Sequence, residues 1–177
     1  MTSSNTGTQK SSRFSRTARL TLAAIGMAGL ALCTTVAPSQ AADGIGFDQN
    51  AALRAVNSFR AENGLRPLTI NSRLMQVAET HADLMADSNQ TNHTVGGSLS
   101  SRVRAGGFKY SAIAENVGSG QRNYAAAMDA WVRSPGHRSN LLRPNLTSIG
   151  FAGSREGGRN YWAQVFGAAP RGFLSAL

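Results

Sequence analysis

Apolar positions recur at helical spacing through most of the region after residue 47, then alternate like a strand pair near the end. Asp48 is placed to cap a helix running to about Glu62, with Ala52, Val56 and Phe59 on one face and Asn63-Gly64 as a left-handed stop. After the loop Leu65-Arg66-Pro67-Leu68, Asn71 or Ser72 caps the next helix. Its Leu74, Val77, Ala78 and His81 fall at i, i+3, i+4 and i+7, followed by Leu84 and Met85, the clearest amphipathic stripe in the chain. Residues 88–109 lack periodicity and are rich in Ser, Asn, Thr and Gly, which predicts a long surface loop with one short helix near Ser98–Ala105.

Ser111–Gly118 reads as a short strand. Asn123 caps a third helix whose Tyr124, Ala127, Met128 and Trp131 repeat the i, i+3, i+4, i+7 stripe. Ser134 then caps a short helix with Pro135 at its first position. Ile149 and Phe151 alternate with smaller residues, a glycine-bearing turn spans Ser154–Arg159, and Tyr161–Phe166 returns as the second strand of a hairpin. That second strand has apolar side chains on both parities, so both sheet faces are expected to be covered. The pattern predicts an α+β domain, a three-layer α–β–α sandwich around a small, mainly antiparallel sheet.

The first 41 residues follow different rules. Lys10, Arg13, Arg16 and Arg19 precede an apolar run, Leu20–Leu32, and Ser39-Gln40-Ala41 supplies small residues at a cleavage position. Together these predict a secretory signal peptide over 1–41, and an apolar run of about 13 residues is too short to span a bilayer, which needs roughly 20. Cys33 ends that run, but the preceding Leu32 is not the small residue a lipidation site wants. Residues 42–47 are expected to be a flexible lead-in, 48–169 the folded domain and 170–177 a tail. The expected destination is extracellular or periplasmic, with no transmembrane helix once the signal is removed. No cysteine follows residue 41, so stability in an oxidising compartment must come from the core, for which about 135 residues suffice.

Removing the signal peptide leaves 14 basic residues against nine acidic ones. Arg54, Arg60, Arg66, Arg73, Arg102 and Arg104 are scattered rather than gathered in a stripe with stacking aromatics, which reads as a basic soluble surface and excludes a nucleic-acid footprint. Anionic headgroups or cell-wall polymers remain open as weak partners.

Three histidines and one glutamate stand out. His81 lies on an apolar stripe and is expected to be a core histidine satisfied by a nearby partner. His93, in Thr91-Asn92-His93-Thr94, sits where no packing period demands it. Glu115 interrupts an apolar-leaning strand, so it should have a histidine, an arginine or a metal beside it, unless it points to solvent. His137 is the third residue of its short helix, where the dipole favours the neutral imidazole that binds a metal or acts as a base. If they converge, His93, Glu115 and His137 could form an open three-ligand site for zinc or another divalent ion. Neither a zincin signature nor a nucleophile elbow accompanies them.

In order and spacing, several of these segments resemble the CAP superfamily, also called the SCP domain. They are the helix around Met75–Met85, Asn92-His93-Thr94, Ala114-Glu115-Asn116-Val117, Trp131-Val132-Arg133-Ser134-Pro135-Gly136-His137-Arg138, Ser148-Ile149-Gly150-Phe151 and Tyr161–Gly167. The resemblance implies the same α–β–α sandwich and a cleft that commonly holds two histidines and two glutamates. His93, Glu115 and His137 match three of these four, and Ser134 stands where other members place the second acid. The disulfides of eukaryotic members have no counterpart after residue 41.

Three functions stay open: a ligand-binding or envelope-associated module taking a small molecule, lipid or cell-wall component; a metal-dependent hydrolase with the metal on His93 and His137 and with Glu115 and His137 as catalytic candidates; and a structural polar network with a protein or cell-wall partner elsewhere on a monomeric domain. The incomplete tetrad leans away from catalysis.

Overall fold

The computed structural model describes residues 43–170. The predicted signal peptide, Cys33 and most of the predicted tail lie outside the described residues. The chain runs β1 (Asp43–Gly44), α1 (Gln49–Glu62), β2 (Thr69–Ile70), α2 (Ser72–Asp87), α3 (Leu99–Ala105), β3 (Ala112–Ser119), α4 (Tyr124–Arg133), α5 (Pro135–Leu141), β4 (Ser148–Glu156) and β5 (Arg159–Ala168). The expected caps at Asp48, Asn71 and Asn123 are in place, and Ser98 caps α3 as well. Asp48 accepts from Asn50 and Ala51, Asn71 from Arg73 and Leu74, Ser98 from Ser101, and Asn123 from Ala126, each satisfying amides that a helix start leaves unpaired. Ser134 holds the predicted cap position of α5, yet its hydroxyl makes no capping bond.

The sheet has the order β1-β4-β5-β3, with β2 also paired to β4. β3, β4 and β5 are antiparallel neighbours and β2 runs parallel to β4. Gly157 and Gly158, at φ 55° and 80°, form the two-residue β4–β5 turn in the conformation that matches strand twist. Part of the lead-in joins the sheet. Asp43 and Gly44 pair with Arg155 and Ser154, and the Phe47 ring stacks on Tyr124 with centroids 5.1 Å apart.

Both faces of the sheet are covered, as the apolar parity of β5 requires. On one face Ala52, Val56, Tyr124, Trp131 and Leu141 from α1, α4 and α5 pack on Ile149, Phe151, Trp162 and Phe166. On the other, Leu74, Val77, Ala78, Ala82, Met85 and Val103 from α2 and α3 pack on Val117, Ala152, Ala163 and Val165. This is the three-layer α–β–α sandwich. α2 lies very close to β4: a Cβ at Gly150 would stand 2.1 Å from the Leu74 carbonyl carbon, so the absent side chain lets helix backbone rest on strand backbone.

β3 is the outermost strand on its side, and its exposed edge is closed by side chains. Arg143, Asn140 and Trp131 donate to the carbonyls of Ile113, Glu115 and Val117 at 2.8, 3.0 and 3.1 Å. Three donors from the α4–α5 region thus occupy alternate acceptors that would otherwise template pairing with another strand.

Candidate functional site

Alternation along β3 sends successive side chains to opposite faces. Glu115 points to the α2–α3 face and Asn116 to the α4–α5 face, and each organises a polar group there. Glu115 is buried, with a side chain 2% exposed. Its Oε1 takes the Arg102 guanidinium of α3, and its Oε2 lies 2.8 Å from His93 Nδ1. Because a carboxylate only accepts, the proton of this bond sits on His93 Nδ1, which leaves Nε2 turned away from Glu115.

The loop bearing His93 is built around two side chains. Asn92 Oδ1 accepts from the amides of Thr94 and Val95 at 2.9 and 3.0 Å, an Asx-type turn that sets the backbone at His93. Arg102 then gathers the loop's carbonyls, donating to His93 at 2.9 Å and Val95 at 3.4 Å as well as to Gly97. The same guanidinium therefore holds both the carboxylate and the loop that delivers the imidazole. The sequence reading placed Arg102 among scattered surface arginines; the structure buries it at 7% exposure. Arg60 is a second correction. It is fully buried and donates to the carbonyls of Arg66, Leu141 and Arg143.

His81 is fully buried, as its place on the stripe predicts. Its Nε2 lies 3.6 Å from Glu115 Oε2, and the Val95 backbone is its other polar neighbour, although neither contact has the geometry of a full hydrogen bond. Burial pushes its pKa below the ordinary 6.5 against the pull of Glu115, with Arg102 and His93 adding to the downward shift.

His137 reaches the same region from the other side of β3. Asn116 Nδ2 donates to the His137 carbonyl at 3.2 Å and to Gln164 Oε1 at 3.1 Å. Asn140 Nδ2, besides bonding the Glu115 carbonyl, donates to Asn116 Oδ1 at 3.0 Å. Gln164 Nε2 continues the chain to the Tyr124 hydroxyl at 2.6 Å. His137 is half-buried, and its pKa is lowered by burial first and by His93 second. The expected direction toward the neutral imidazole holds, with burial rather than the helix dipole as its leading cause.

Of the three predicted residues, His93 and Glu115 touch, and His137 stands close enough to His93 to feel its charge. Sequence reasoning missed Arg102, Asn116, Asn140 and Gln164. Only the demand that a strand-borne Glu115 have a cationic neighbour pointed toward an arginine. Among the described residues no group of three or more His, Cys, Asp or Glu is arranged to hold a metal ion. Both Glu115 oxygens are already engaged, so two imidazoles are the donors left for one.

Comparison with known proteins agrees with this architecture. The model of the cysteine-rich secretory protein family, CAP, matches residues 53–166. The uncharacterized protein YkwD of Bacillus subtilis is 33% identical over 135 residues, covering 75% of this chain and 50% of that protein. The chain thus spans about half the length of that relative, and 32% of the B. subtilis membrane protein YlbC, to which it is 29% identical. Among solved structures, an extracellular SCP-domain protein from Bacillus anthracis superposes with a TM-score of 0.60 at 26% identity, covering 67% of this chain and 41% of that one. An outer surface protein from Borrelia burgdorferi shares the fold at a TM-score of 0.65 and 20% identity, covering 73% of this chain and 99% of that one. With the family model spanning most of the described residues, the chain belongs to the CAP, or cysteine-rich secretory protein, family.

Proposed function

We propose that this chain is an exported CAP-domain binding module whose cleft, walled by His93 and His137, takes a small molecule, a lipid or another envelope component. The observation that carries this reading is the engagement of Glu115. A guanidinium occupies one of its oxygens and an imidazole the other, on a side chain 2% exposed. A general base must come within hydrogen-bond reach of the proton it removes; buried beneath Arg102 and His93, this carboxylate instead supports the loop that bears His93. The His93 side chain, 56% exposed, and the half-buried His137 are left to meet a ligand. Export is supported by the basic start, short apolar run and small-x-small site of residues 1–41, and by likeness to an extracellular protein of B. anthracis. No helix among the described residues is long and apolar enough to cross a membrane.

The test is native mass spectrometry of the full chain incubated with bacterial envelope extract. A retained mass that disappears in the His93→Ala/His137→Ala variant is the expected result. If the parent retains nothing from any extract, the binding reading fails.

The His93–Glu115 contact favours a second reading, in which the cleft holds a divalent cation such as zinc. A histidine that donates one ring N–H to a carboxylate is the usual arrangement of a metal-ligating imidazole, fixing its tautomer and raising its basicity. Here Glu115 would orient His93, and His93 with His137 would supply the protein donors. A bound divalent ion supplies Lewis acidity. Metal content of protein purified without a histidine tag tests this: bound zinc that is lost in His137→Ala supports it, and equal content in parent and variant removes the site.

A further inference from the structure

At the end of the sheet where the β4–β5 turn meets the loop after β3, three exposed arginines surround one concavity. Arg122, Arg155 and Arg159 line it together with Gly120, Gly158 and Asn160. It is an open depression of about 470 Å³, within the roughly 300–1,000 Å³ of small-ligand sites. None of the three guanidiniums, nor the adjacent Glu156, belongs to an ion pair among the residues whose side chains are described.

The cluster is held in place from below. Asn160, only 6% exposed, accepts from Arg155 Nε at 2.8 Å through Oδ1 and donates through Nδ2 to the carbonyls of Gln121 and Arg122 at 3.0 and 3.1 Å. Its own carbonyl takes the Gly120 amide at 2.8 Å. Trp162 Nε1 adds a second bond to the Gln121 carbonyl at 3.0 Å. On the other wall, Arg159 Nη2 donates to Ser119 Oγ at 2.6 Å while its guanidinium lies 5.7 Å from the centroid of the Tyr161 ring. One buried asparagine therefore ties the loop, one arginine and the strand end together, and a serine and a tyrosine hold the second arginine. Among the residues whose side chains are described, each of these two guanidiniums gives one hydrogen bond, from Arg155 Nε and from Arg159 Nη2.

We propose that this concavity binds a phosphate-bearing ligand, carried by a soluble phosphate ester or by a phospholipid headgroup, through Arg122, Arg155 and Arg159. Planar guanidiniums with donors to spare match phosphate oxygens two at a time. Holding Arg155 and Arg159 in place beforehand lowers the ordering cost of binding. The site lies apart from the His93–His137 cleft and stands whether or not that cleft takes a ligand.

The experiment titrates the full chain with pyrophosphate by calorimetry and, separately, measures cosedimentation with phosphatidylcholine vesicles with and without phosphatidylglycerol. The parent is expected to bind in at least one arm, and Arg155→Ala/Arg159→Ala is expected to weaken that binding about tenfold per guanidinium removed, the size of one charge-assisted hydrogen bond. Loss in the pyrophosphate arm alone assigns a soluble ester, loss in the vesicle arm alone assigns a headgroup, and loss in both assigns the phosphoryl group whatever carries it. Arg122→Ala, at an exposed loop position, serves as a second variant if the hairpin changes affect folding. No binding by the parent in either arm overturns the proposal. So does equal weakening by Arg54→Ala, since that would mark diffuse surface charge.

Discussion

Arg102 and Glu115 form a buried ion pair across the α2–α3 face of the sheet, and the same guanidinium collects carbonyls from the loop that carries His93. Their burial gives the pair two distinct dependencies. Removing either charge leaves the other without its partner in a low-dielectric site, and removing Arg102 also releases three loop carbonyls. Breaking one side of such a pair typically costs about 3–5 kcal/mol. Arg102→Met and Glu115→Gln are each expected to destabilise the fold by that order in denaturant unfolding, with Arg102→Met the larger effect. The double variant should cost less than the two single effects added together. Strict additivity would show that the two side chains do not act as a unit.

The imidazoles give the protein a signed pH response. His81 and His137 both have pKa values lowered in the fold, His81 by burial above all and His137 by burial and then by His93. Between each lowered value and the ordinary 6.5, the unfolded chain binds more protons than the native one, so stability rises with pH through that window. The contribution is complete above 6.5 and is lost as pH falls through the folded values. Denaturant unfolding at a series of pH values from 7.5 downward, to about pH 5, should show stability falling with acidification. His81→Leu should flatten the slope and His137→Ala should flatten it further. A parent slope that survives both substitutions would place the response elsewhere.

Much of this was readable because its causes are local. Caps at Asp48, Asn71 and Asn123 act within three residues, and the Gly157–Gly158 turn joins strands adjacent in sequence. Long-range pairings left no such mark. Thr69–Ile70 becomes a strand only because Ser148 and Ile149 come alongside it, and Asp43–Gly44 only because of Ser154 and Arg155. The site divides the same way. Glu115 announced its need for a cation by breaking an apolar strand, but nothing in the spacing of the arginines distinguished buried Arg102 from exposed Arg104. The asparagine roles were invisible, since Asn140 of α5 bonds the Glu115 carbonyl 25 residues away and Asn116 of β3 bonds the His137 carbonyl 21 residues away.

Asn140 is expected to matter out of proportion to its size. Its Nδ2 serves two acceptors at once, the Glu115 carbonyl and Asn116 Oδ1, each at 3.0 Å. Asn140→Leu leaves both unsatisfied at the edge strand that carries the site, and a stranded buried acceptor costs about 1–3 kcal/mol. Hydrogen exchange should show faster opening along β3 in this variant than in α2. Uniform protection across the fold would mean that water replaces the missing donor.

Gly150, on β4 and two strands away from β3, offers a way to disturb the surroundings of Glu115 without touching a polar group. A Cβ there would meet the Leu74 carbonyl carbon and oxygen and the Met75 nitrogen at 2.1–2.2 Å. These are backbone atoms of α2, so no rotamer change relieves the clash and the helix itself must move. Overpacking of this kind costs typically 1–3 kcal/mol, and more where the neighbour cannot yield; for Gly150→Ala the loss should be about 3 kcal/mol or above. Because α2 also carries His81 against Glu115, the displacement should reach the site, shifting the His81 ring resonances in a protein that still folds. A Gly150→Ala variant with parental stability would require the α2–β4 contact to be looser than the backbone approach at Leu74 indicates.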